Sequence, residues 1–448
     1  MTIKLYLQNV VRLCAYAACA LLPAFGSMAW AAPEKTLHEF CHQANCPDGE
    51  APYFGLTEDS SGTLYGTTYA GGLNGAGTVF SLTPSGGKFS YKRLYSFCAK
   101  TACHDGGLPQ SNLIVDVAGN LYGTTTSLGA FSGGTVYELK PNAAHTKWNL
   151  VILYSFCSQT DCTDGKVPAA SLTYQGAESG TAYDGTSVLY GTTTQGGTGA
   201  GGTRAGVAYE LTFQSGKTLR AEQVLYNFCS QTNCTDGNDP WGLTIDGHGT
   251  LYGTTQSGGQ NDKGAVYEIV PKQQVEFVLY SFCPATNCPD GWNPITPLVM
   301  DANGNLYGTA RGGGAAGWGV VFKIVPNGVA SQETVLHSFC RKANCTDGAL
   351  PSAGVVIDPQ GAMFGTTLIG GFYAGSNCET NIGCGTVYRL QGTTYAVLHS
   401  FCKLGSANCP DGREPLHASL LLDGSGNLFG TTSEGGYYAA GTVFMITP

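Results

Sequence analysis

Charged residues are scarce in this chain, and neither sign forms a run. Only 12% of the 448 residues are Asp, Glu, Lys or Arg. Binding to nucleic acid or to an anionic membrane needs a basic face, so the composition argues against both partners. Helical periodicity is also missing, and no run of 18 apolar residues occurs beyond the N-terminal segment. We therefore expect neither a helical fold nor a membrane-spanning helix.

Local signatures of catalysis are missing as well. The chain contains no G-x-S-x-G elbow and no H-E-x-x-H motif. His104 and His417 have Asp105 and Glu414 nearby in sequence, which is the minimum for acid–base chemistry. A lone His in such a loop is more typical of a solvated turn, so the sequence predicts no catalytic residues.

The N-terminal segment has the pattern of an export signal. Lys4 and Arg12 precede an apolar run from Leu13 to Phe25, and a small-residue triplet ends at Ala31. This pattern predicts a cleaved signal peptide over residues 1–31 and a single mature domain over residues 32–448. We expect a secreted or periplasmic monomer.

Cysteines are plentiful and closely paired. Two of the 18 lie in the predicted signal, and the other 16 form eight local pairs. An exported chain with an even count predicts eight disulfides. A structural zinc site needs four converging ligands, whereas each repeat offers two thiols and no His at a fixed offset. The predicted bridges are Cys41–Cys46, Cys98–Cys103, Cys157–Cys162, Cys229–Cys234, Cys283–Cys288, Cys340–Cys345, Cys378–Cys384 and Cys402–Cys409.

One cassette returns seven times along the chain. It contains a Phe-Cys, a second Cys, an Asp-Gly, a Leu-Tyr-Gly-Thr type motif and a Val-Tyr or Val-Phe run. The unit from Leu279 to Pro326 reads as four short β runs separated by Gly, Asp, Asn and Pro signals. The Phe-Cys pairs end at Cys41, Cys98, Cys157, Cys229, Cys283, Cys340 and Cys402.

Such a unit cannot bury both faces of its sheet alone, so the units must stack. The pattern predicts an all-β fold, a seven-bladed β-propeller of four-stranded antiparallel blades. The mature chain begins with an outermost strand at Leu37 and ends with a blade lacking its own. We expect the N-terminal strand to complete the C-terminal blade, which closes the ring. An open β-solenoid is the alternative and would not need this split blade.

The Gly of the motif at Leu121-Tyr-Gly-Thr-Thr125 and its equivalents is interpreted as a packing residue. It is expected to let adjacent sheets approach closely. These segments, with Cys-x-Asp-Gly and Gly-Thr-Val-Tyr, resemble the GloVer tandem repeats of exported bacterial proteins. The resemblance covers essentially the whole mature chain. It implies an extracytoplasmic repeat protein and supplies no activity, and since the chain stops at Pro448 no anchor is predicted.

One Asp per repeat follows the second Cys. Seven carboxylates on one face would suit a hard cation such as calcium. Asp-Gly is also a turn pair whose carboxylate accepts local N–H groups, and this interpretation is preferred. No cofactor is otherwise predicted. The residues are Asp48, Asp105, Asp164, Asp236, Asp290, Asp347 and Asp411.

Ligand binding is expected where the repeats disagree. Trp241, Trp292, Arg311 and Trp318 break the consensus in loops of one predicted face. Aromatic rings stack on sugars or anchor proteins, and Arg supplies directed donors. The alternative is that the rings plug the channel mouth. Further bulky residues in these loops are Phe131, Phe372, Tyr373, Tyr437 and Tyr438.

The sequence therefore predicts a non-catalytic binding module with a glycan or protein ligand. A polysaccharide lyase or hydrolase on the same scaffold would require converging carboxylates, His or Tyr at the channel mouth. A structural envelope or matrix protein is the third hypothesis.

Overall fold

The computed structural model describes residues 33–199, 205–214, 220–328, 331–373, 378, 382–403 and 409–448. The predicted signal peptide lies outside these residues. The described chain folds into seven antiparallel sheets that follow one another as the blades of a seven-bladed β-propeller. The predicted fold class is therefore confirmed. We number the blades 1 to 7 along the chain and name the strands a to d from the channel outward.

The strands follow the repeat closely. The b strands span Leu64–Thr68, Leu121–Ser127, Leu189–Thr193, Leu251–Ser257, Leu306–Ala310, Met363–Thr367 and Leu428–Thr432. The c strands span Thr78–Ser85, Thr135–Pro141, Val207–Thr212, Ala265–Val270, Val320–Val325, Thr386–Gln391 and Thr442–Ile446. The d strands span Lys88–Ser96, Trp148–Ser155, Ala221–Asn227, Val275–Ser281, Gln332–Ser338, Thr394–Ser400 and, in blade 7, Glu34–Glu39.

The ring closes through the N-terminal strand, as predicted. Glu34–Glu39 pairs antiparallel with Thr442–Ile446, and Glu34 lies opposite Ile446. Blade 7 thus takes its d strand from the start of the described chain and its other three strands from the end. This pairing covers the strand edge that an open ring would expose.

The innermost strands are short and irregular. In blade 3 the a strand is reduced to a single β-bridge between Thr173 and Tyr190. In blade 4 the a strand is the longest, and its register shifts between Trp241 and Leu243. The a strands are Thr57–Glu58, Gly107–Pro109 with Ile114–Val115, Asn238–Ile245, Val299–Met300, Val356–Ile357 and Leu421–Leu422.

Aromatic pairs join every blade to the next. Phe97, from the Phe-Cys that follows a d strand, meets Tyr137 on the c strand of the following blade edge-on at 5.2 Å. Both rings are fully buried, and such edge-to-face pairs add to the energy of apolar burial. The equivalent pairs are Phe40–Phe80, Phe156–Tyr209, Phe228–Tyr267, Phe282–Phe322, Phe339–Tyr388 and Phe401–Phe444.

The motif glycine has a different role from the one expected. A Cβ on Gly123 would lie 2.6 Å from the hydroxyl oxygen of Tyr137, and the two residues are paired within one blade. The glycine therefore makes room for an aromatic ring of its own blade rather than for a neighbouring sheet. That ring then reaches the Phe of the preceding blade.

The two threonines of the motif satisfy different partners. The first donates its hydroxyl to a main-chain carbonyl at the start of the next blade, as Thr254 does to Thr296 at 3.0 Å and Thr309 to Ala353 at 2.9 Å. The second stays within its blade, where Thr125 and Thr135 share a 2.9 Å hydrogen bond.

Glutamate carboxyl groups are buried at three places where the outer strands of neighbouring blades meet. The Tyr226 hydroxyl donates to Asp236 at 2.8 Å, and the charge of Asp236 acts on Glu276 from the next blade. Burial and the charge of the neighbouring Asp raise the pKa of Glu276 to about 8. The same causes raise the pKa of Glu222 to about 7 and that of Glu333 to about 8.

Eight disulfides pin the loops, with the pairing predicted from the sequence. Seven join cysteines five or seven residues apart in the d–a loops, and Cys378–Cys384 lies in a b–c loop. Helices in the described residues are single 3-10 turns, and none could cross a membrane. They are Thr101–Cys103, Thr160–Cys162, Ala177–Ser179, Thr232–Cys234 and Ala343–Cys345.

Candidate functional site

The Cys loops and the Gly-rich loops share one face of the ring. Antiparallel connectivity brings the d–a and b–c connections to the same end of the sheets. Main-chain bridges between the two loop types demonstrate this, as between Glu50 and Ala70 or between Ala349 and Ile369. We call this end the Cys-loop face.

The seven repeated Asp residues are built into their own loops. Asp105 is fully buried. It accepts hydrogen bonds from the main-chain N–H groups of Ala99 at 2.9 Å and Lys100 at 3.1 Å and from the Tyr95 hydroxyl at 2.7 Å. Asp164, Asp236 and Asp347 likewise accept main-chain N–H groups of their loops. Among the described residues, the His, Cys, Asp and Glu groups close enough to share a metal include only Asp48 of the seven.

The central channel opens at this face and is almost filled. It leaves a cavity of about 20 Å³, room for about one water molecule. Every blade contributes to the lining near the start of its a strand. One lining residue from each blade, in order, is Phe54, Asn112, Ser171, Trp241, Pro297, Ser352 and His417.

Three of these side chains form a stack across the channel. The His417 ring lies between Trp241, at 5.2 Å and 19°, and Phe54, at 5.7 Å and 14°. The indole N–H of Trp241 also points to the Gln256 side-chain oxygen at 3.4 Å. The sequence interpretation of His417 as a solvated turn residue was wrong, because the Pro415 to Ser419 segment carries it into the channel.

His417 is held neutral. Burial, with the positive charge of Arg311, lowers the pKa of His417 to about 4. Nδ1 lies 3.1 Å from the carbonyl oxygen of Ser352, so this nitrogen carries the proton and donates it. Nε2 then keeps a lone pair, which gives the channel a hydrogen-bond acceptor at neutral pH.

The stack occurs where the repeat pattern breaks. In blades 3 and 6 the first motif threonine, Thr192 or Thr366, has a buried hydroxyl with no hydrogen-bond partner in the described chain. The blades that follow them are those of Trp241 and His417. In these two blades the backbone leaves the extended conformation, with a φ of +30° at Gly242 and +52° at His417. The hydrogen bond from the first motif threonine to the next blade is therefore missing, within the described residues, at the two places where Trp241 and His417 fill the channel.

Trp292 lies outside the channel, whereas the charge of the neighbouring Arg311 acts on the buried His417 ring inside it. Trp292 and Gly312 exchange two main-chain hydrogen bonds of 3.0 and 3.1 Å, and the indole lies against the glycine. The residue remains 37% exposed. Arg311 precedes Gly312 in the chain. Its guanidinium has no ion pair in the described ranges. Trp292 thus presents a half-exposed ring at the face, and Arg311 places a positive charge close to the channel stack.

Trp318 lies apart from that pair. It ends the Gly-rich loop of blade 5, where its carbonyl accepts the N–H of Leu350 from the next blade at 2.9 Å. No ring contact joins Trp241, Trp292 and Trp318 within the described ranges. Six of the eight exposed large aromatic residues in the described chain belong to Cys-loop-face loops, so the face has an aromatic rim. They are Phe131, Trp292, Trp318, Phe372, Tyr437 and Tyr438.

Phe54 and Ser352 were missed by sequence reasoning. Each occupies an ordinary repeat position just before an apolar a strand, so no local pattern marks it. For His417 a signal existed, because a bulky imidazole precedes the inner strand of blade 7.

The described chain is thus a propeller with a filled channel and an aromatic rim on its Cys-loop face. The Gloeobacter/Verrucomicrobia repeat family model matches residues 30–203 and 178–377. The chain therefore belongs to this family, and the resemblance identified from its motifs is confirmed. No curated protein matches the chain.

Solved structures similar to this chain are distant. A candidate 6-phosphogluconolactonase from Bacteroides uniformis has a TM-score of 0.45 and 11% identity, covering 78% of this chain and 84% of its own. A candidate oxidoreductase (glucose dehydrogenase) from Thermus thermophilus has a TM-score of 0.42 and 12% identity, with coverages of 93% and 99%. Trypanosoma rangeli sialidase has a TM-score of 0.42 and 8% identity, with coverages of 93% and 60%.

Proposed function

We propose that this protein is an exported, non-catalytic binding module that holds a glycan on its Cys-loop face. The observation that carries the proposal is the half-exposed indole of Trp292. A sugar ring stacks its C–H face on a flat, half-exposed indole, and the guanidinium of Arg311, in the same loop region, supplies donors for hydroxyl or carboxylate oxygens. The indole is supported from behind by Gly312, so little side-chain entropy is lost on binding.

The proposed ligand lies on the rim rather than inside the channel. A cavity of about 20 Å³ is far below the several hundred Å³ typical of small-molecule pockets. Trp241 and His417 fill this space and support the rim from below. The channel residues are therefore assigned to packing, and Trp292, Arg311 and Trp318 to recognition.

An enzyme on this scaffold is a weaker hypothesis. Glycoside hydrolysis normally uses two carboxyl groups that flank the bond to be cleaved, and no carboxylate lines the channel in the described ranges. The three distant structural neighbours lend no activity to this chain. A structural envelope role predicts that rim substitutions have no effect on any ligand.

A protein ligand is the second candidate, and the breadth of the rim favours it. Six exposed aromatic residues spread over several blades suit a flat partner with aromatic anchors. Such a partner would depend on Phe131, Phe372 and Tyr437 as well as on Trp292. A local glycan site would depend on Trp292 and Arg311 alone.

The test is a glycan-array screen of the oxidised mature protein, with and without calcium. Trp292→Ala should remove a reproducible signal and leave the melting temperature nearly unchanged. Phe277→Ala is the matched control, since this ring is 43% exposed on the outer d strand of blade 4. Calcium dependence of the signal would support a role for the Asp carboxylates.

Unchanged glycan binding by a folded Trp292→Ala variant would contradict the proposed site. A blank array would favour a protein ligand, and capture experiments with wild type and with Phe372→Ala would then follow. Loss of capture in that variant would establish the broad rim as the interface.

A further inference from the structure

Three potential metal ligands meet beside the strand that closes the ring. Ligand atoms of His38, His42 and Asp48 lie within 4.8 Å of one another. Nε2 of His38 and Oδ2 of Asp48 are 3.5 Å apart. Both atoms are buried, and apart from each other neither has a partner in the described part of the chain. The equivalent atoms of His399 and Asp411 face each other in the same way at 3.1 Å, so the His–Asp pair by itself belongs to the repeat.

The neighbours of this cluster hold two of its ligands in place. The His38 ring stacks on Tyr91 at 4.0 Å and 7°, and the Tyr91 hydroxyl donates to the main-chain carbonyl of Asp48. The Cys41–Cys46 disulfide closes the loop between the ligands. Such surroundings orient metal ligands before the metal binds.

His42 is the component that other blades lack. His337 repeats the stacking, on Tyr395 of the next blade at 3.8 Å, but it forms no ion pair with Asp347 among the described residues. Its buried Nε2 likewise has no partner in the described ranges. At the position equivalent to His42, however, that loop has Arg341. The cationic side chain there would repel a metal ion.

The geometry points to a binding site for one divalent transition metal of the zinc type, formed by His38, His42 and Asp48. Two imidazoles and one carboxylate are ligands that Zn²⁺ accepts, with a fourth position left for water. In tetrahedral coordination at about 2.1 Å, ligand atoms lie about 3.4 Å apart, which matches the 3.5 Å of His38 and Asp48. His42 is exposed, so its side chain can turn to close the remaining gap.

A metal bound at this site would strengthen the closure of the ring. His38 belongs to the N-terminal strand and lies opposite Val443 of blade 7, whereas Asp48 lies in the loop that leads into blade 1. A bound metal therefore joins the strand that closes the ring to the first blade. Binding only to the closed ring stabilises it by mass action.

The experiment is a titration of oxidised mature protein, free of any histidine tag, with Zn²⁺ and with Co²⁺ as a spectroscopic probe. We expect one equivalent to bind, the Co²⁺ spectrum to indicate nitrogen and oxygen ligands, and the melting temperature to rise. His42→Arg, which copies the residue at Arg341, should weaken binding at least tenfold and abolish the shift in melting temperature. This variant should fold, because the repeat already carries Arg at the equivalent position.

His104→Ala is the matched control, since His104 is an exposed His in the equivalent Cys loop of blade 2 and lies in no metal group among the described residues. It should bind one equivalent with unchanged affinity. The proposal is overturned if wild type binds no metal at micromolar concentration, or if His42→Arg binds as tightly as wild type. Equal loss in His104→Ala would also overturn it, because binding would then reflect scattered surface histidines.

Discussion

The hydroxyl of Thr431 donates a 2.9 Å hydrogen bond to the carbonyl of Phe54, although 377 residues separate them in the chain. The same bond joins Thr254 to Thr296 between neighbouring blades. The last blade thus meets the first through the same bond that joins most other neighbouring blades, and the ring closes through ordinary repeat contacts. Closure here has two components, this bond and the shared sheet of blade 7.

Thr431→Val should destabilise the protein by about 1–3 kcal/mol, because it leaves the Phe54 carbonyl buried without a donor. Thr366→Val is the matched control. Its hydroxyl is buried at the equivalent position with no partner in the described chain, so we expect a neutral or slightly stabilising change. Urea unfolding of the two variants measures the difference. Equal effects would show that the hydroxyl bond between blades contributes nothing.

The free energy of unfolding should fall as the pH rises from about 5 to 8. The pKa of Glu276 is raised to about 8 in the folded protein, from an ordinary value of 4.5. Folding therefore favours the protonated carboxyl. Its contribution is complete below pH 4.5 and is lost as the pH rises through 8. Glu222 and Glu333 act in the same direction, with the pKa raised to about 7 and about 8.

Glu276→Gln should flatten this pH dependence and make the variant more stable than wild type at pH 8. Thermal unfolding at pH 5, 6.5 and 8 tests this expectation. Glu178→Gln, in an exposed turn, should leave the profile of wild type unchanged. A profile for Glu276→Gln that is parallel to wild type would contradict the assignment.

Trp241→Ala should cost about 2–4 kcal/mol, toward the range for large aromatic side chains in cores. The indole packs on His417 in the channel, so its loss opens a cavity there. Trp292→Ala should cost less than about 1 kcal/mol, since that ring is exposed on one side. Chemical denaturation measures both changes. A larger loss of stability in Trp292→Ala would reverse the roles given to the two residues.

Gly123→Ala should destabilise the protein by about 1–3 kcal/mol, because the new methyl group collides with the buried Tyr137 ring. Gly247→Ala is the control. A Cβ at Gly247 meets no atom within 4 Å, and its φ is not positive. That substitution should be neutral or stabilising, by up to about 1 kcal/mol. Similar losses in both variants would contradict the role assigned to the motif glycine.

Arg341→His should create a second metal site. The change places an imidazole in the loop of Asp347, which accepts the main-chain N–H of residue 341, and near His337, which stacks on a tyrosine as His38 does. Titration with Zn²⁺ should then give two equivalents instead of one, and His42→Arg in the same chain should return the count to one. A count that stays at one in Arg341→His would show that the loop geometry, rather than the third ligand, is what distinguishes the two blades.

Much of the fold was predictable because each unit repeats the same local pattern. The b and c strands follow from runs such as Leu306-Tyr-Gly-Thr309, and blade 7 follows from a d strand at one end of the chain and its partners at the other. Paired cysteines close together in sequence have few alternative partners. These inferences depend on local spacing, which a sequence displays directly.

The candidate site was less predictable. The sequence placed Trp241, Trp292, Arg311 and Trp318 in loops of one face, but it did not separate the channel residue from the rim residues. Trp241 and Trp292 follow their Asp-Gly at different distances, and a register shift after Trp241 turns one indole inward. His417 looked like a turn residue because its stacking partners are far away in sequence.

Spacing along the chain was enough to specify the seven repeated units, the strand order and the completion of the last blade by the first strand. These properties arise from contacts within a unit or between neighbouring units, where a fixed spacing gives the same packing each time. The filling of the channel, the neutral His417 and the meeting of His38, His42 and Asp48 at the closing seam became visible only in the folded ring. Each of these requires a distance between residues of different blades or loops, and such distances are set by how the whole ring packs.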